Sequence, residues 1–246
     1  PFSHTRIVGV LQRIALCYCA ASLMIHYLPT RWVYILSVVF LLGYWIVLLA
    51  CGEPGAQLTM TGNAGYFLDK WILGDAHMYH GEGVAFEPEG FLSTIPSIVN
   101  VIIGYYAGKF IQEKGKGYET ISRLLMTGCL FIFIAICWDP AFPMNKKLWT
   151  SSFVFITTGL DLVIISFLLY ALEIRAWNKG NWANFFTVVG KNPLPIYVLS
   201  EILLIMLAWI SVGGKVLPAM WTSAFQAIAP GKIGSLLFAI SFMLIC

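Results

Sequence analysis

Residues 31–51 read RWVYILSVVFLLGYWIVLLAC, an apolar run whose one charge is the arginine that opens it. About 20 apolar residues in a helix cross a bilayer core about 30 Å thick. Working outward, further runs of this kind place helices at 7–28, 92–111, 120–138, 149–172, 192–212 and 231–246. The composition agrees: 59% of residues are hydrophobic and 11% charged, with a mean hydropathy of +0.80, whereas soluble domains carry roughly a quarter charged residues. The expected fold is all-α, a polytopic helical membrane protein with about seven transmembrane helices. Nucleic-acid binding has no support, because the net charge of +3 is small and is accounted for by short loops.

Residues 1–246 are expected to form a single transmembrane domain with a loop at 52–91. The chain opens on Pro1 and closes on Cys246 inside an apolar run, so it is expected to be part of a longer protein. The first apolar run carries Gln12 and Arg13, with no small-residue cleavage site after it, and is expected to stay in the membrane. Short cytoplasmic loops are enriched in Lys and Arg. The segment 109–123 holds Lys109, Lys114, Lys116 and Arg123, and Arg31, Arg175, Lys179 and Lys191 fall on the same side. The loop 52–91, with Glu53, Asp69, Asp75, Glu82, Glu87 and Glu89 against Lys70, is then extracytoplasmic. Lys146 and Lys147 break the charge rule, which points to a function or a packing role.

Polar residues inside apolar spans are costly, about 3 kcal/mol for a charge at the bilayer centre on insertion scales, and so mark functional sites or buried pairs. Gln12, Arg13, Asn100, Asp161 and Glu201 are of this kind. Arg13 is expected to pair with Asp161 or Glu201, as a structural ion pair or as part of a working site, with Asn100, Thr157 and Thr158 completing a polar seam. Cys51 and Cys137 fall near helix ends on the same side; a disulfide between them stays open on sequence grounds.

Two loops carry most of the remaining polar chemistry. In the first, His77 and His80 could join Asp75 or Glu82 around zinc, but the spacing matches no specific metal motif, and no metal is expected. Glu87-Pro88-Glu89-Gly90 leads into Phe91-Leu92-Ser93-Thr94. Ser93 or Thr94 can cap the following helix and a glutamate can complement its positive end; equally, Glu89 can bind an amine or sugar hydroxyls. In the second loop, Asn145, Lys146, Lys147 and Trp149 precede a helix. They fit a polar, sugar-like ligand, while Trp149 also suits an interfacial anchor and the lysines suit lipid phosphate. Lys191 and Asn192, before Pro193 and Pro195, form a helix start able to hold the phosphates of a nucleotide-type donor.

Gly9-Val10-Leu11-Gln12-Arg13, Glu87-Pro88-Glu89-Gly90 with Ser93-Thr94-Ile95, Asn145-Lys146-Lys147-Leu148-Trp149-Thr150-Ser151-Ser152, and Asn192 with Tyr197 and Glu201 occur in one order. That order resembles the heparan-α-glucosaminide N-acetyltransferase family, and within it the bacterial members. The resemblance implies an integral protein of the bacterial inner membrane, acetyl transfer from cytoplasmic acetyl-CoA to a glucosamine-type amino sugar or glycan across the membrane, and a homodimer. It also implies an N-terminal block of about three helices bearing the family's proposed catalytic histidine. None of His4, His26, His77 or His80 matches that motif, so no catalytic histidine is assigned. By the resemblance Lys146, Lys147 and Trp149 line the acceptor side, Arg13, Asp161 and Glu201 the interior, and Lys191 and Asn192 the donor side. Glu87 stands where the family usually has aspartate, a change that keeps the charge.

The alternative function is an amino-sugar or N-acetylglucosamine transporter, with protons coupled through Asp161 or Glu201. It ranks second because the halves show neither an inverted repeat nor matching broken segments. A scaffolding membrane protein would explain the apolar helices but not the polar loops and buried charges.

Overall fold

A computed structural model describes residues 5–81, 83–177, 181–212 and 214–245. The chain divides into two compact units, Pro1–Trp177 and Asn178–Cys246.

The first unit contains helices α1 (Val10–Tyr27), α2 (Thr30–Cys51), α3 (Ala64–Leu73), α4 (Phe91–Lys114), α5 (Tyr118–Trp138) and α6 (Ser151–Leu169), the last running into a π-helical turn at Tyr170–Ile174. α1, α2, α4, α5 and α6 with its π turn are each long and apolar enough to cross a membrane. Many of their large apolar side chains are exposed, among them Trp32, Ile46, Leu130, Phe133 and Phe167. A face of this composition is stable in lipid, where the helix satisfies its own backbone and apolar side chains cost nothing.

Inside the unit, small residues let backbones approach. A Cβ on Gly128 of α5 would meet the Gly159 carbonyl of α6 at 2.8 Å, and one on Gly159 would meet the Gly128 carbonyl at 2.9 Å. Without hydrophobic drive between helices in lipid, such close contact is a main source of association. One apolar cluster joins Cys17 and Ala21 of α1, Val33 of α2, and Ile98 and Ile102 of α4. Another joins Leu41, Val99 and Val154 of α2, α4 and α6. Tyr44 and Leu48 pack on Phe142 beyond α5, and Ser151 at the head of α6 donates to the Leu41 carbonyl at 2.8 Å. α1, α4 and α6 therefore begin, and α2 and α5 end, at one end of the unit.

The second unit contains α7 (Asn181–Lys191), α8 (Pro193–Trp209), a two-residue antiparallel pairing of Ser211–Val212 with Lys215–Val216, α9 (Leu217–Ile228) and α10 (Lys232–Ile245). Residues 183–191 and α8 meet at an 84° bend and together pass as one broken span. The bend falls at Asn192, where the following Pro193 has no N–H to continue a helix. Among the described residues five helices, or six with the bent pair, are long and apolar enough to span, and the apolar α10 occupies the last of the about seven segments expected. The loop expected at 52–91 contains α3. Asn63 caps that helix by accepting from the Tyr66 N–H at 2.9 Å, and Gly74 ends it at φ 74°, where a side chain would strain the backbone.

Replacing Gly159 by Leu is expected to force α5 and α6 apart and lower stability by about 1–3 kcal/mol or more. Gly43→Ala, where a Cβ meets nothing within 4 Å, is expected to leave it unchanged or raised. Thermal unfolding in detergent compares the two.

Candidate functional site

The site grows from the first turn of α1. Arg13 is 6% exposed and satisfies its guanidinium on the neighbouring backbone. Nη1 donates to the Pro88 carbonyl at 3.0 Å and Nη2 to the Ser93 carbonyl at 2.8 Å, with a further bond to the Ser97 hydroxyl. Its central carbon lies 4.1 Å from the centroid of the Trp149 ring, a cation–π contact. Nε is buried with no hydrogen-bond partner. The ion pair expected with Asp161 is not formed: among the described residues Arg13 is in no salt bridge, and Asp161 lies exposed on α6. Carbonyl dipoles and a π face take the place of a carboxylate because α1 starts at Val10, which puts Arg13 at the end of the bundle beside the 87–97 backbone.

The polar seam is formed in part. Trp149 Nε1 donates to Asn100 Oδ1 at 3.0 Å, and Asn100 Nδ2 donates to the Thr157 hydroxyl at 3.4 Å. Arg13, Trp149, Asn100 and Thr157 thus form one chain of contacts across α1, α4 and α6, while Thr158 bonds back to the Val154 carbonyl at 2.6 Å. Gln12 is exposed on α1. Trp149 adopts φ 53°, a conformation that costs a bulky residue about 1–3 kcal/mol and persists only where surroundings impose it. Here the preceding turn does so. Asn145 Oδ1 accepts from the Lys147 N–H at 2.9 Å and the Leu148 N–H at 3.4 Å, and Thr150 N–H donates to the Asn145 carbonyl at 3.2 Å. Asn145 therefore shapes the loop that presents Trp149.

Glu87 and Glu89 are joined to Arg6, which sequence reading passed over. Arg6 Nε donates to Glu87 Oε2 at 2.9 Å, and its Nη2 contacts both glutamates. The hydrogen bond with Glu87 outweighs desolvation and holds Arg6 above its ordinary pKa. Glu87 is 2% exposed. Segment 87–90 is thus held between two arginines, by its carboxylates on Arg6 and by the Pro88 carbonyl on Arg13. Ser93 and Thr94 do not cap α4, which begins at Phe91; both hydroxyls donate to the Gly90 carbonyl, at 3.0 and 2.9 Å. The anion at the helix start is Asp69 of α3, whose Oδ1 accepts the Phe91 N–H at 2.9 Å.

Asp69 was not singled out from sequence because its partner lies on another element. It is 3% exposed, and burial pushes its pKa up to about 6 against the opposing Phe91 hydrogen bond. A Cβ on Gly90 would collide with the Asp69 carboxylate. Asp69, Glu87, Ser93, Tyr44, Tyr66, Asn63 and Lys147 line one small cavity. Lys147 is half-buried with its ammonium 3.7 Å from Met60 Sδ, and Lys146 is exposed.

Elsewhere, His77 Nδ1 bonds to the Thr5 carbonyl at 2.8 Å and His80 Nδ1 to the Met78 carbonyl at 2.9 Å. No group of three metal-ligating side chains gathers among the described residues, and Glu82 lies outside them. Cys51 and Cys137 are free thiols. In the second unit Lys191 is exposed, Asn192 Nδ2 donates to the Val188 carbonyl at 2.8 Å, and Glu201 is exposed on α8.

These features define an integral membrane protein with a buried, charged site at one end of a helix bundle. No family model matches the chain. It is related to the heparan-α-glucosaminide N-acetyltransferases: it is 27% identical over 254 residues to that enzyme of Homo sapiens, and 26% identical over 255 residues to that of Mus musculus. Each match covers 82% of this chain and 38% of the relative, so the chain spans about two-fifths of the length of the curated relatives it matches. The resemblance to these enzymes read from the ordered motifs is borne out at the level of the family name.

The raised pKa of Asp69 fixes the sign of a pH effect. Between the ordinary carboxylate range and about pH 6 the folded protein binds the extra proton, so Asp69 favours folding below that window and its contribution is lost as pH rises through it. Asp69→Asn is expected to stabilise the fold above pH 6 by about 2–3 kcal/mol, a gain that vanishes near pH 4; thermal unfolding across pH reads it.

Proposed function

We propose that the protein is a membrane-bound N-acetyltransferase that moves an acetyl group from acetyl-CoA to the amine of a glucosamine-type sugar or glycan. The observation that carries this reading is the similarity to two N-acetyltransferases over 82% of the chain, supported by the contacts of Arg13 with Pro88 and Trp149, which join three of the four motifs of the resemblance in the first unit. In the transfer the amine nitrogen forms a bond to the acetyl carbon as the carbon–sulfur bond of the thioester breaks; the sulfur leaves as the thiol and one proton is released from the ammonium form of the acceptor.

Glu89, Asn145, Lys146, Lys147 and Trp149 are assigned to the acceptor. Glu89 supplies negative charge for the amine, Trp149 a flat apolar face for a sugar ring, and Lys147 a donor for hydroxyls. Arg13 and Asn100 hold this face in place, with Gln12, Asp161 and Glu201 the other intramembrane polar groups of the assignment. Lys191 and Asn192, at the bend of the second unit, are assigned to the phosphates of the donor. The loop 52–91 is taken as extracytoplasmic in a bacterial inner membrane, on the charge argument, with donor and acceptor on opposite faces. Association as a homodimer and contact of Lys146 with lipid phosphate complete the reading.

The test is acetyl transfer from labelled acetyl-CoA to glucosamine by the full-length protein in sealed proteoliposomes, with donor and acceptor on opposite faces. Product is expected on the acceptor side, and Lys147→Met is expected to raise KM for glucosamine about tenfold or more, the weight of one charge-assisted hydrogen bond. Glucosamine crossing unmodified would establish a transporter instead.

A further inference from the structure

We propose that Asp69 is a positioning residue for acetyl transfer: its ionised carboxylate holds the Glu87–Gly90 segment against the start of α4 in the arrangement that receives the acceptor. The inference rests on the reading that this segment faces the acceptor.

Three observations support it. The carboxylate is buried and bonded to the Phe91 N–H, the first amide of α4 after the segment, where the helix presents unsatisfied N–H groups and a partial positive charge. It lies against the Cα of Gly90, in space that any side chain there would take. Arg6 and Arg13 fix Glu87, Pro88 and Glu89, so Asp69 holds the remaining end. At Gly90 the N–H donates to the Glu87 carbonyl at 3.2 Å and the carbonyl accepts from Ser93 and Thr94, and the Asp69 carboxylate adds the contact on its Cα face.

The charge itself is what a purely structural role does not require. An asparagine oxygen would accept the same N–H without the desolvation cost of a buried carboxylate. Among the described residues no cation pairs with Asp69, and Lys70 on the same helix pairs with Asp75 at 3.2 Å instead. A buried charge that weakens the fold while completing a site matches the exchange of stability for function seen in working sites. The groups that face it are Arg13 from α1, Tyr44 from α2, Tyr66 on α3, Glu87 beside the cavity and Lys147 from the 145–150 turn. Glu87 opposes its ionisation and Arg13 favours it.

Protonation of Asp69 removes the charge that sets the Glu87–Gly90 segment at the helix start, so the acid side of the transfer profile reports this one group. The experiment compares the full-length wild type with Asp69→Asn in proteoliposomes from about pH 5 to 8, using acetyl-CoA and glucosamine. Hydrogen exchange of the amides around Phe91 is followed over the same range as a protection factor. In the wild type, transfer is expected to fall as pH drops through about 6, while Phe91 protection rises, because the neutral carboxyl is the form the fold stabilises. In Asp69→Asn both are expected to be flat, with kcat at pH 8 reduced about tenfold or more and KM for acetyl-CoA within about twofold. An acid limb and a rate unchanged in the variant would overturn the inference. If neither protein transfers acetyl at any pH, the acetyltransferase reading fails; Phe91 protection in the wild type then decides the inference by itself, and a pH-independent value overturns it.

Discussion

Arg13 is a buried cation satisfied by carbonyls and an aromatic face rather than by a carboxylate. A charge removed from water is tolerated only where hydrogen bonds and compensating dipoles surround it, so its surroundings have to be in place together. Pro88 and Ser93 offer their carbonyls because segment 87–90 and the first turn of α4 are folded as they are. Trp149 lies beneath the guanidinium because the 145–150 turn drives it to positive φ. Removing Arg13 would take one bond from segment 87–90, one from the first turn of α4 and the cation from the Trp149 face, which couples α1, α4 and the approach to α6 at the end where the candidate site lies.

The helix packing below sets the distances that this arrangement needs. Gly128 and Gly159 bring α5 and α6 together, and the cluster of Cys17, Ala21, Val33, Ile98 and Ile102 locks α1 and α2 onto α4. The outward faces carry many large apolar side chains, and the buried charges Arg13, Asp69 and Glu87 gather at one end of the first unit. α3, which packs beside α4, then supplies Asp69 to the start of that helix. A small helix outside the spans thus completes a site built mainly from the spans themselves.

Much of this was legible in the sequence, for identifiable reasons. Apolar runs of bilayer length gave α1, α2, α4, α5 and α6 to within a few residues, because in lipid the length and hydropathy of a segment decide its structure with little help from tertiary context. The bend at Asn192 was signalled by Pro193, and the apolar run at 231–246 forms α10. α3 had a cap in Asn63 and a terminator in Gly74, and was missed because the glycine-rich residues around it read as loop. Asn100 and Thr157 were expected in one polar seam and do touch, while Trp149, read as a loop residue of the acceptor side, joins them through Asn100. The carbonyl partners of Arg13 were not legible because sequence reveals carboxylates and hides backbone carbonyls; Asp69 and Arg6 were hidden because each acts on a segment distant along the chain.

The claim that Arg13 and Trp149 act as one unit is tested most directly by a double-mutant cycle on thermal stability, with Arg13→Lys, Trp149→Leu and the pair. A coupling energy of about 0.5–2 kcal/mol is expected, since the cation–π contact is lost once, whichever residue is changed. Strictly additive effects would contradict the account and leave Arg13 a helix staple independent of the site.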